Sequence, residues 1–329
     1  MTKPILELDQ LTMHFPTRQG PLKAVDGVSL AIQPGETLGL VGESGCGKST
    51  LARALIRLYR PTAGRILLDG VDITELSETA LKPHRHRLQM IFQDPVAALN
   101  GRMTVGELIS EPLDIQNVGT PASRRARIGE LLDKVGLGAD AADRFPHAFS
   151  GGQRQRIGIA RAIALEPELV ICDEPISALD VSIQAQIVNL LSELKKEIGL
   201  AYLFITHDLS MLRHIADRIG VMYLGKLVEI APSGALHTAP RHPYTQLLWS
   251  AIPVPDPKAR RQDISETGEV PSPLDLPSGC RFRTRCPYAT DLCAQTEPEL
   301  TTGDHAVACH HPLPPECGDS SHQQETNYV

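Results

Sequence analysis

The sequence lacks any apolar run long enough to cross a membrane. Its longest apolar stretch, at 200–205, is far shorter than the ~20 residues that a spanning helix requires. The first ten residues, MTKPILELDQ, contain no apolar core and are interrupted by Glu7 and Asp9, so they do not resemble a signal peptide. We therefore expect a cytosolic chain that meets a membrane only through partner proteins.

The sequence also lacks the positive charge that is typical of nucleic-acid-binding proteins. Its net charge is −7 at pH 7, which argues against a role in binding DNA or RNA. Hydrophobic residues make up 42% of the 329 residues, so a packed core is expected. This length suits one large domain and a smaller one.

The closely spaced cysteine pairs of common zinc ribbons are absent as well. Cys280, Cys286, Cys293 and Cys309 are separated by 5, 6 and 15 residues, and Cys317 follows them. In a reducing compartment such a group favours metal or cluster ligation over disulfides. The spacing leaves zinc and iron both open. The alternative ligands nearby are His305, His310 and His311.

Strand-length apolar segments alternate with helical patterns, which predicts a largely parallel α/β core. Strands are expected near 37–41, 169–172 and 201–206, with a late hairpin over 219–230, and the alternating residues of 1–32 are strand-like. Helices are expected over 49–59, 104–138, 151–165 and 182–198. A proline-rich linker at 253–257 predicts a domain boundary between about 240 and 257. We expect this linker to keep the final cysteines away from the phosphate-binding loop, and the last dozen residues to be disordered.

One segment matches the complete P-loop pattern, GxxxxGK[ST], between a predicted strand and a predicted helix. Backbone amides of such a loop surround phosphate oxygens, a lysine contacts the β- and γ-phosphates, and a hydroxyl binds Mg²⁺. Here the lysine is Lys48 and the hydroxyl is that of Ser49. The residues predicted to surround the nucleotide are Gly42, Glu43, Ser44, Gly45, Cys46, Gly47, Lys48, Ser49 and Thr50.

Further candidate residues follow apolar, strand-like segments. Asp173 at the end of 169–173 is suited to hold Mg²⁺, and Glu174 is suited to act as the general base for water. Gln93 and His207 each end another predicted strand, where a side chain can contact phosphate, water or, for Gln93, the metal. Phe15 can stack on adenine, although core packing explains it equally well.

Taken together, these motifs resemble the ATP-binding subunits of ABC transporters. The resemblance spans about residues 4–235 and adds a signature, Ser150-Gly151-Gly152-Gln153, and a D-loop that ends at Asp180. In that family two ATPase domains pack head to tail, and each signature contacts the nucleotide held by the partner's P-loop. The resemblance therefore implies a second, homologous ATPase subunit, and a heterodimer in particular.

A closer resemblance points to the dipeptide/oligopeptide permease branch, and within it to the dipeptide-permease ATPase of the DppF type. It rests on Gln93-Asp94-Pro95, Gln153–Ile157, His242-Pro-Tyr244 and the final cysteines. The branch implies two membrane-spanning permease subunits and an extracytoplasmic peptide-binding protein. It also implies that Cys280, Cys286, Cys293 and Cys309 hold a [4Fe–4S] cluster. The sequence of Val96–Gly101 differs from the one usual in this branch, and the difference affects the surface expected to face the permease.

These observations predict an α/β fold over residues 1–250: an ABC-type P-loop domain with an antiparallel β subdomain and a helical subdomain at about 94–165. Residues 251–329 are predicted to form a linker and a small, irregular cysteine-rich domain. The expected function is ATP hydrolysis that drives dipeptide import, on the cytoplasmic side of the bacterial inner membrane, with ATP, Mg²⁺ and the cluster as cofactors. Oligopeptides, nickel or another peptide-like solute are alternatives. A soluble ABC ATPase outside transport is disfavoured because neither a second cassette nor a long coiled-coil insertion is present.

Overall fold

The computed structural model describes residues 3–177, 179–252 and 269–314. The strands in these ranges are β1 (Leu6–Thr17), β2 (Gly20–Ile32), β3 (Thr37–Val41), β4 (Ala63–Leu68), β5 (Val71–Asp72), β6 (Leu88–Ile91), β7 (Leu169–Asp173), β8 (Ala201–Ile205), β9 (Arg218–Tyr223), β10 (Lys226–Pro232) and β11 (Ala306–Val307). The α-helices are α1 (Lys48–Leu55), α2 (Glu78–Arg85), α3 (Pro95–Ala98), α4 (Val105–Gln116), α5 (Pro121–Lys134), α6 (Gly151–Ile163), α7 (Val181–Ile198), α8 (Leu209–Ile215), α9 (Ser233–Thr238), α10 (Pro243–Ser250) and α11 (Asp291–Gln295).

The described residues form two compact units, and the chain passes between them several times. The first unit comprises the described residues of Met1–Met13, Gly27–Leu38 and Ser49–Thr206. The second comprises those of His14–Asp26, Gly39–Lys48 and His207–Val329. No helix in the described ranges combines the length and the apolar character that crossing a bilayer requires.

The core of the first unit is a parallel sheet. Strand β7 pairs in parallel with β6 and with β8, with Leu169 opposite Leu88 on one side and Ala201 on the other. Every residue of β7 and β8 is buried, as expected for parallel strands covered by helices on both faces. The carboxyl ends of β6 and β7 consequently lie at one edge, where Gln93 and Glu174 follow them. The predicted parallel α/β core is confirmed.

An antiparallel sheet accompanies this core, in the strand order β2-β1-β4-β5. Its β1–β4 register places Leu6 opposite Leu68 and Leu8 opposite Ile66, and all four side chains are buried. Because alternate residues of β1 point inward, this sheet contributes one apolar face to the core. The antiparallel sheet expected from the sequence is therefore present.

The single helical pattern predicted over 104–138 is two helices. Asn117 adopts a left-handed conformation, with φ 58°, at the end of α4. Thr120 then starts α5 with a reciprocal capping box to Ser123, and Pro121 occupies the first turn. A left-handed cap stops one helix and a capping box with proline starts the next, so the chain reverses there. Helix α1 is also shorter than predicted, because it ends at Leu55.

The predicted late hairpin is present in the second unit as β9 and β10. They pair antiparallel with Tyr223 opposite Lys226, so the turn consists of Leu224 and Gly225. Strand β11, from the C-terminal segment, adds to the other side of β10 with Ala306 opposite Ile230. Within this unit the strand order is β11-β10-β9-β3.

The C-terminal segment 269–314 does not form a domain of its own, contrary to the expectation from the sequence. Besides β11, it contributes Phe282 to an aromatic cluster with Tyr223 and Tyr244, at ring-centroid distances of 5.3 and 5.4 Å. Arg281 bonds the carbonyl of Leu224 and the carboxylate of Asp26. The segment has little apolar surface, so it gains its order by burial against the rest of the second unit. The predicted linker at 253–257 and the final dozen residues lie outside the described residues.

Replacing Phe282 with alanine should loosen this segment. Removing a buried aromatic side chain from a packed cluster costs about 3–5 kcal/mol of folding free energy. We expect a lower thermal midpoint and faster proteolytic cleavage within 269–314. Leu292→Ala, at an exposed position of the same segment, is the matched control and should change neither property. Equal cleavage rates in the two variants would contradict the docking role of Phe282.

Candidate functional site

The predicted phosphate-binding loop follows β3 and leads into α1. Gly47 has φ +106°, and a Cβ placed on it would lie 2.0 Å from the carbonyl oxygen of Ala24. Only glycine fits both the backbone conformation and the close approach. The loop therefore passes close to Ala24 of β2 before the chain enters α1, and the first backbone N–H groups of a helix favour an anion.

Lys48 is buried inside this loop. Its ammonium group donates to the carbonyl oxygens of Gly42 and Glu43, at 2.7 and 3.0 Å. It also lies 3.6 Å from the sulfur of Cys46, whose thiol pKa is raised by burial. The positive charge is thus held within the loop, where it can meet a phosphate group. Cys46 itself is buried in the loop.

Ser49 and Asp173, which are 124 positions apart in the chain, are brought together. The Ser49 hydroxyl donates to Asp173 Oδ1 at 2.8 Å, and Asp173 is only 1% exposed. A hydroxyl beside a buried carboxylate offers the oxygen ligands that Mg²⁺ prefers. The residues present therefore fit a magnesium ion.

Gln93 and Glu174 form the second predicted pair. The Gln93 amide donates to Glu174 Oε2 at 2.8 Å. Glu174 has a left-handed backbone, with φ 46°, and its N–H donates to the carbonyl of Ile205 at 2.9 Å. Left-handed backbone is uncommon outside glycine and is concentrated at functional sites. The turn leaves the Glu174 carboxylate beside Gln93 after the end of β7, where it can accept a proton from water.

The remaining predicted site residues are described by their position and exposure. Phe15 is partly buried in β1, and His207 is exposed just after β8. Both belong to the second compact unit, whereas Asp173 and Glu174 belong to the first. Thr50 is partly buried in α1, and Asp180 is exposed at the start of α7. Ala178 of the predicted D-loop lies outside the described residues.

The signature residues form the beginning of α6. Ser150 and Gln153 make a reciprocal capping box, with the Gln153 amide oxygen 3.0 Å from the Ser150 nitrogen. A Cβ on Gly152 would lie 2.6 Å from Cγ2 of Ile183 in α7. Gly152 is therefore needed for the approach of two helices, a reason that the sequence did not reveal. The amides of this N-terminus remain well placed to contact an anion.

The four cysteines predicted to bind a cluster line one small pocket. They share it with His310 and His311, while His305 bonds the buried Glu229 at 2.6 Å and so lies elsewhere. Burial raises the pKa of the Cys280, Cys286 and Cys309 thiols, the last to about 11. Within the described ranges, no three His, Cys, Asp or Glu side chains are arranged to hold a metal ion.

Two residues that the sequence analysis did not assign to the site hold the phosphate-binding loop. Arg285 makes two hydrogen bonds to the Glu43 carboxylate, at 2.9 and 3.0 Å. The Tyr244 hydroxyl accepts from the Glu43 amide at 3.0 Å. The expectation that the linker separates the C-terminal segment from this loop is therefore wrong. Tyr244 could have been suspected from the His242-Pro-Tyr244 motif, but nothing in the sequence singled out Arg285.

Comparison with known proteins places this geometry in a family. A family model described as ABC transporter matches residues 25–177, and a model described as the C-terminal region of oligopeptide/dipeptide transporters matches residues 228–293. The chain is 56% identical to YkfD of Bacillus subtilis over 313 residues, which cover 93% of this chain and 95% of YkfD. This chain belongs to the ATP-binding proteins of ABC transporters.

Other relatives agree with this assignment. The oligopeptide transport ATP-binding protein AppF of Bacillus subtilis is 54% identical, over 93% of this chain and 97% of AppF. The dimeric ATP-binding cassette MJ0796, solved in a post-hydrolysis state with ADP and phosphate, superposes with a TM-score of 0.64. It is 30% identical, and the match covers 69% of this chain and 98% of the cassette. The ABC protein described here is accordingly an ATPase.

The ATPase should depend on Glu174 for hydrolysis but not for nucleotide binding. Glu174→Gln keeps the shape and a hydrogen-bonding partner for Gln93, but its amide cannot take a proton from water. We expect ATP turnover to fall by about 10²–10⁴-fold, while the dissociation constant for MgATP changes little. Turnover of radiolabelled ATP and equilibrium binding of a fluorescent nucleotide measure the two effects.

Glu193→Gln is the matched control, since it removes a carboxylate from the exterior of α7 and should leave turnover unchanged. Near-normal turnover by the Glu174→Gln protein would show that another group accepts the proton.

Proposed function

We propose that this ABC ATPase powers peptide import across the bacterial inner membrane and works on its cytoplasmic face. The observation that carries the proposal is the pair of contacts Ser49–Asp173 and Gln93–Glu174, which assembles a hydrolytic site in a chain whose C-terminal region matches that of peptide transporters. The two contacts support ATP hydrolysis as the source of energy for transport. The C-terminal match supports peptides as the transported solutes.

At the nucleotide, the proposed roles combine the contacts described above with the roles expected from the sequence. The loop amides and Lys48 bind the phosphates, and Phe15 stacks on the adenine. Ser49, Asp173 and Gln93 would hold Mg²⁺, which supplies charge neutralisation of the phosphates when bound. Glu174 accepts a proton from the attacking water, and His207 hydrogen-bonds the γ-phosphate. The amide of Gln93 keeps the Glu174 carboxylate oriented.

The signature needs a second ATPase chain in this proposal. The beginning of α6 presents its amides with Gly151 and Gly152, and Arg154 adds positive charge beside them. We propose that Ser150–Gln153 and Asp180 contact the nucleotide of a homologous partner. Solved relatives that are dimeric cassettes support such pairing. The set of nucleotide contacts is then complete only in the pair, because the sequence carries one copy of each motif.

An open cleft next to Gln93 supports contact with membrane-spanning permease subunits. Its walls include Asp94, Glu111 and Ile115, and the Ile115 side chain is 59% exposed. The cleft is also lined by Arg53, Arg85 and Arg161, so it carries charges of both signs. Its exposed apolar residue suits an apolar side chain on a short cytoplasmic segment of a permease. Two such permeases and an extracytoplasmic peptide-binding protein complete the proposed transporter. Movement of Gln93 would link this cleft to the hydrolytic site.

The solute is proposed from the relatives rather than from a binding pocket. AppF carries oligopeptide transport in its name, which favours oligopeptides at least as strongly as the dipeptides expected for a DppF-type subunit. Nickel or another peptide-like compound is the remaining alternative. An ATPase subunit has no need to contact the transported molecule, so the permease and the binding protein must select it.

Deletion of this chain should abolish growth on peptides that supply an essential amino acid. The test strain is an auxotroph that carries the native permeases, complemented with wild-type protein or with Glu174→Gln. We expect only wild-type protein to restore growth on tri- to pentapeptides, and growth on dipeptides to show whether they are also carried. Growth on the free amino acid is the control. Unimpaired growth of the deletion strain on every peptide tested would refute peptide import.

A [4Fe–4S] cluster at the four cysteines is also part of the proposal. The cysteines line one pocket, as a shared cofactor requires, although they are not arranged around a single ion. A [4Fe–4S] cluster would take one thiolate at each iron, so the four sulfur atoms would not all need to lie within bonding distance of a single ion. When bound, the cluster would supply cross-links that stabilise a segment with little apolar surface.

Cys293→Ser should remove iron from anaerobically purified protein. Because Cys293 is buried beside the other three cysteines, we expect loss of the brown colour and of iron, and faster proteolysis of 269–314. Iron and zinc analysis together with visible absorption measure the change, and Cys317→Ser is the matched control that should retain iron. Wild-type protein with stoichiometric zinc and no iron would contradict the cluster.

A further inference from the structure

Glu43 is held by the second compact unit at its amide, its carbonyl and its side chain. The amide donates to the Tyr244 hydroxyl, the carbonyl accepts from Lys48, and the carboxylate accepts two hydrogen bonds from Arg285. Glu43 is also the first residue after Gly42, where the loop leaves β3. The position of the first bend of the phosphate-binding loop is thus determined by residues far along the chain.

The charge of Glu43 is a disadvantage in a loop that binds phosphates. Its side chain is 27% exposed, so the carboxylate is partly shielded from water and its repulsion of another anion is only partly screened. Arg285 neutralises this carboxylate through a bidentate pair, the geometry for which a guanidinium is suited. The side chain of Arg285 is only 3% exposed, so water screens its contact with Glu43 only weakly.

The aromatic cluster determines where Arg285 lies. Its guanidinium carbon is 5.9 Å from the ring centre of Tyr223 and 5.8 Å from that of Phe282. Tyr244, which bonds the Glu43 amide, packs against both rings. Cation–aromatic contacts of this length hold a buried guanidinium in place. The same cluster therefore positions both groups that hold Glu43.

We propose that Arg285 is a positioning residue for ATP, which neutralises Glu43 and keeps the first bend of the phosphate-binding loop in its binding conformation. The C-terminal segment thereby sets the affinity of the ATP site, although it contributes no group to the reaction. The inference rests on ATP binding by the Gly42–Ser49 loop. It predicts an effect on binding of MgATP, and hence on KM, with a smaller effect on kcat.

The test compares Arg285→Met with Arg283→Met in the full-length protein. Arg283 lies two residues away, and its guanidinium donates to the carbonyl and hydroxyl oxygens of Ser278, so it controls for loss of an arginine from the same segment. We expect Arg285→Met to weaken MgATP binding and raise KM on the order of tenfold at low ionic strength, with kcat changed less than about threefold. Arg283→Met should leave KM unchanged. Arg285→Lys, which keeps the charge without the bidentate geometry, should fall between wild type and Arg285→Met.

A double-mutant cycle distinguishes neutralisation of the Glu43 charge from a purely structural contribution of Arg285. In a Glu43→Gln background the carboxylate that Arg285 neutralises is gone, so Arg285→Met should weaken MgATP binding by no more than about twofold. High salt should reduce the penalty of Arg285→Met in the wild-type background, because salt screens the exposed part of the repulsion. Fluorescent nucleotide titration at two ionic strengths measures both effects.

Equal penalties in the two backgrounds, or an equal effect of Arg283→Met, would overturn the inference while leaving ATP binding intact. An Arg285→Met protein with wild-type KM would do the same. Failure of the wild-type chain to bind MgATP would instead overturn the assignment of the loop, and the inference with it. Thermal unfolding of each variant without nucleotide shows whether a change in KM reflects loss of folded protein.

Discussion

The buried carboxylate of Asp173 is the constraint on which the rest of the site depends. An ionised group that is almost wholly removed from water requires a hydrogen-bonding partner or a cation. Ser49 supplies the partner, and in doing so connects the first turn of α1 to the end of β7. That connection fixes the start of α1 at the carboxyl end of β7, at the edge of the parallel sheet where Gln93 and Glu174 also lie.

The C-terminal segment shows how a sequence with little apolar surface becomes ordered. It adds a short strand to β10, packs Phe282 against two tyrosines and pairs two arginines with acidic residues. In each of these contacts the partner is a strand, an aromatic ring or a carboxylate that belongs to the rest of the second unit. The segment is therefore integrated with the phosphate-binding loop, and Arg285 and Cys286, which are adjacent in the chain, face the loop and the cysteine pocket respectively.

Gly152 combines two roles, in the predicted anion contact of the signature and in the close packing of α6 against α7. The resemblance to ABC transporters implies that the signature contacts an anion, for which a helix N-terminus without bulky side chains is suitable. The structure adds that α6 approaches α7 so closely that a Cβ would collide with Ile183. Substitution at Gly152 would therefore disturb helix packing as well as any contact with a partner's nucleotide. Gly151, which has more room, is the better probe of the partner contact.

The sequence by itself determined the local elements of the site. Glycine spacing and Lys48 defined the phosphate-binding loop, and Asp173 and Glu174 were recognisable because two acids directly follow an apolar strand. The two helices in 104–138 could also have been separated, since Asn117 and Pro121 carry the necessary signals. Tertiary structure alone decided that Ser49 contacts Asp173, that Gly152 faces Ile183 and that Arg285 holds Glu43. Such contacts join residues between 31 and 242 positions apart, and their partners depend on how whole strands and helices pack. Local propensity and spacing carry no information about that packing.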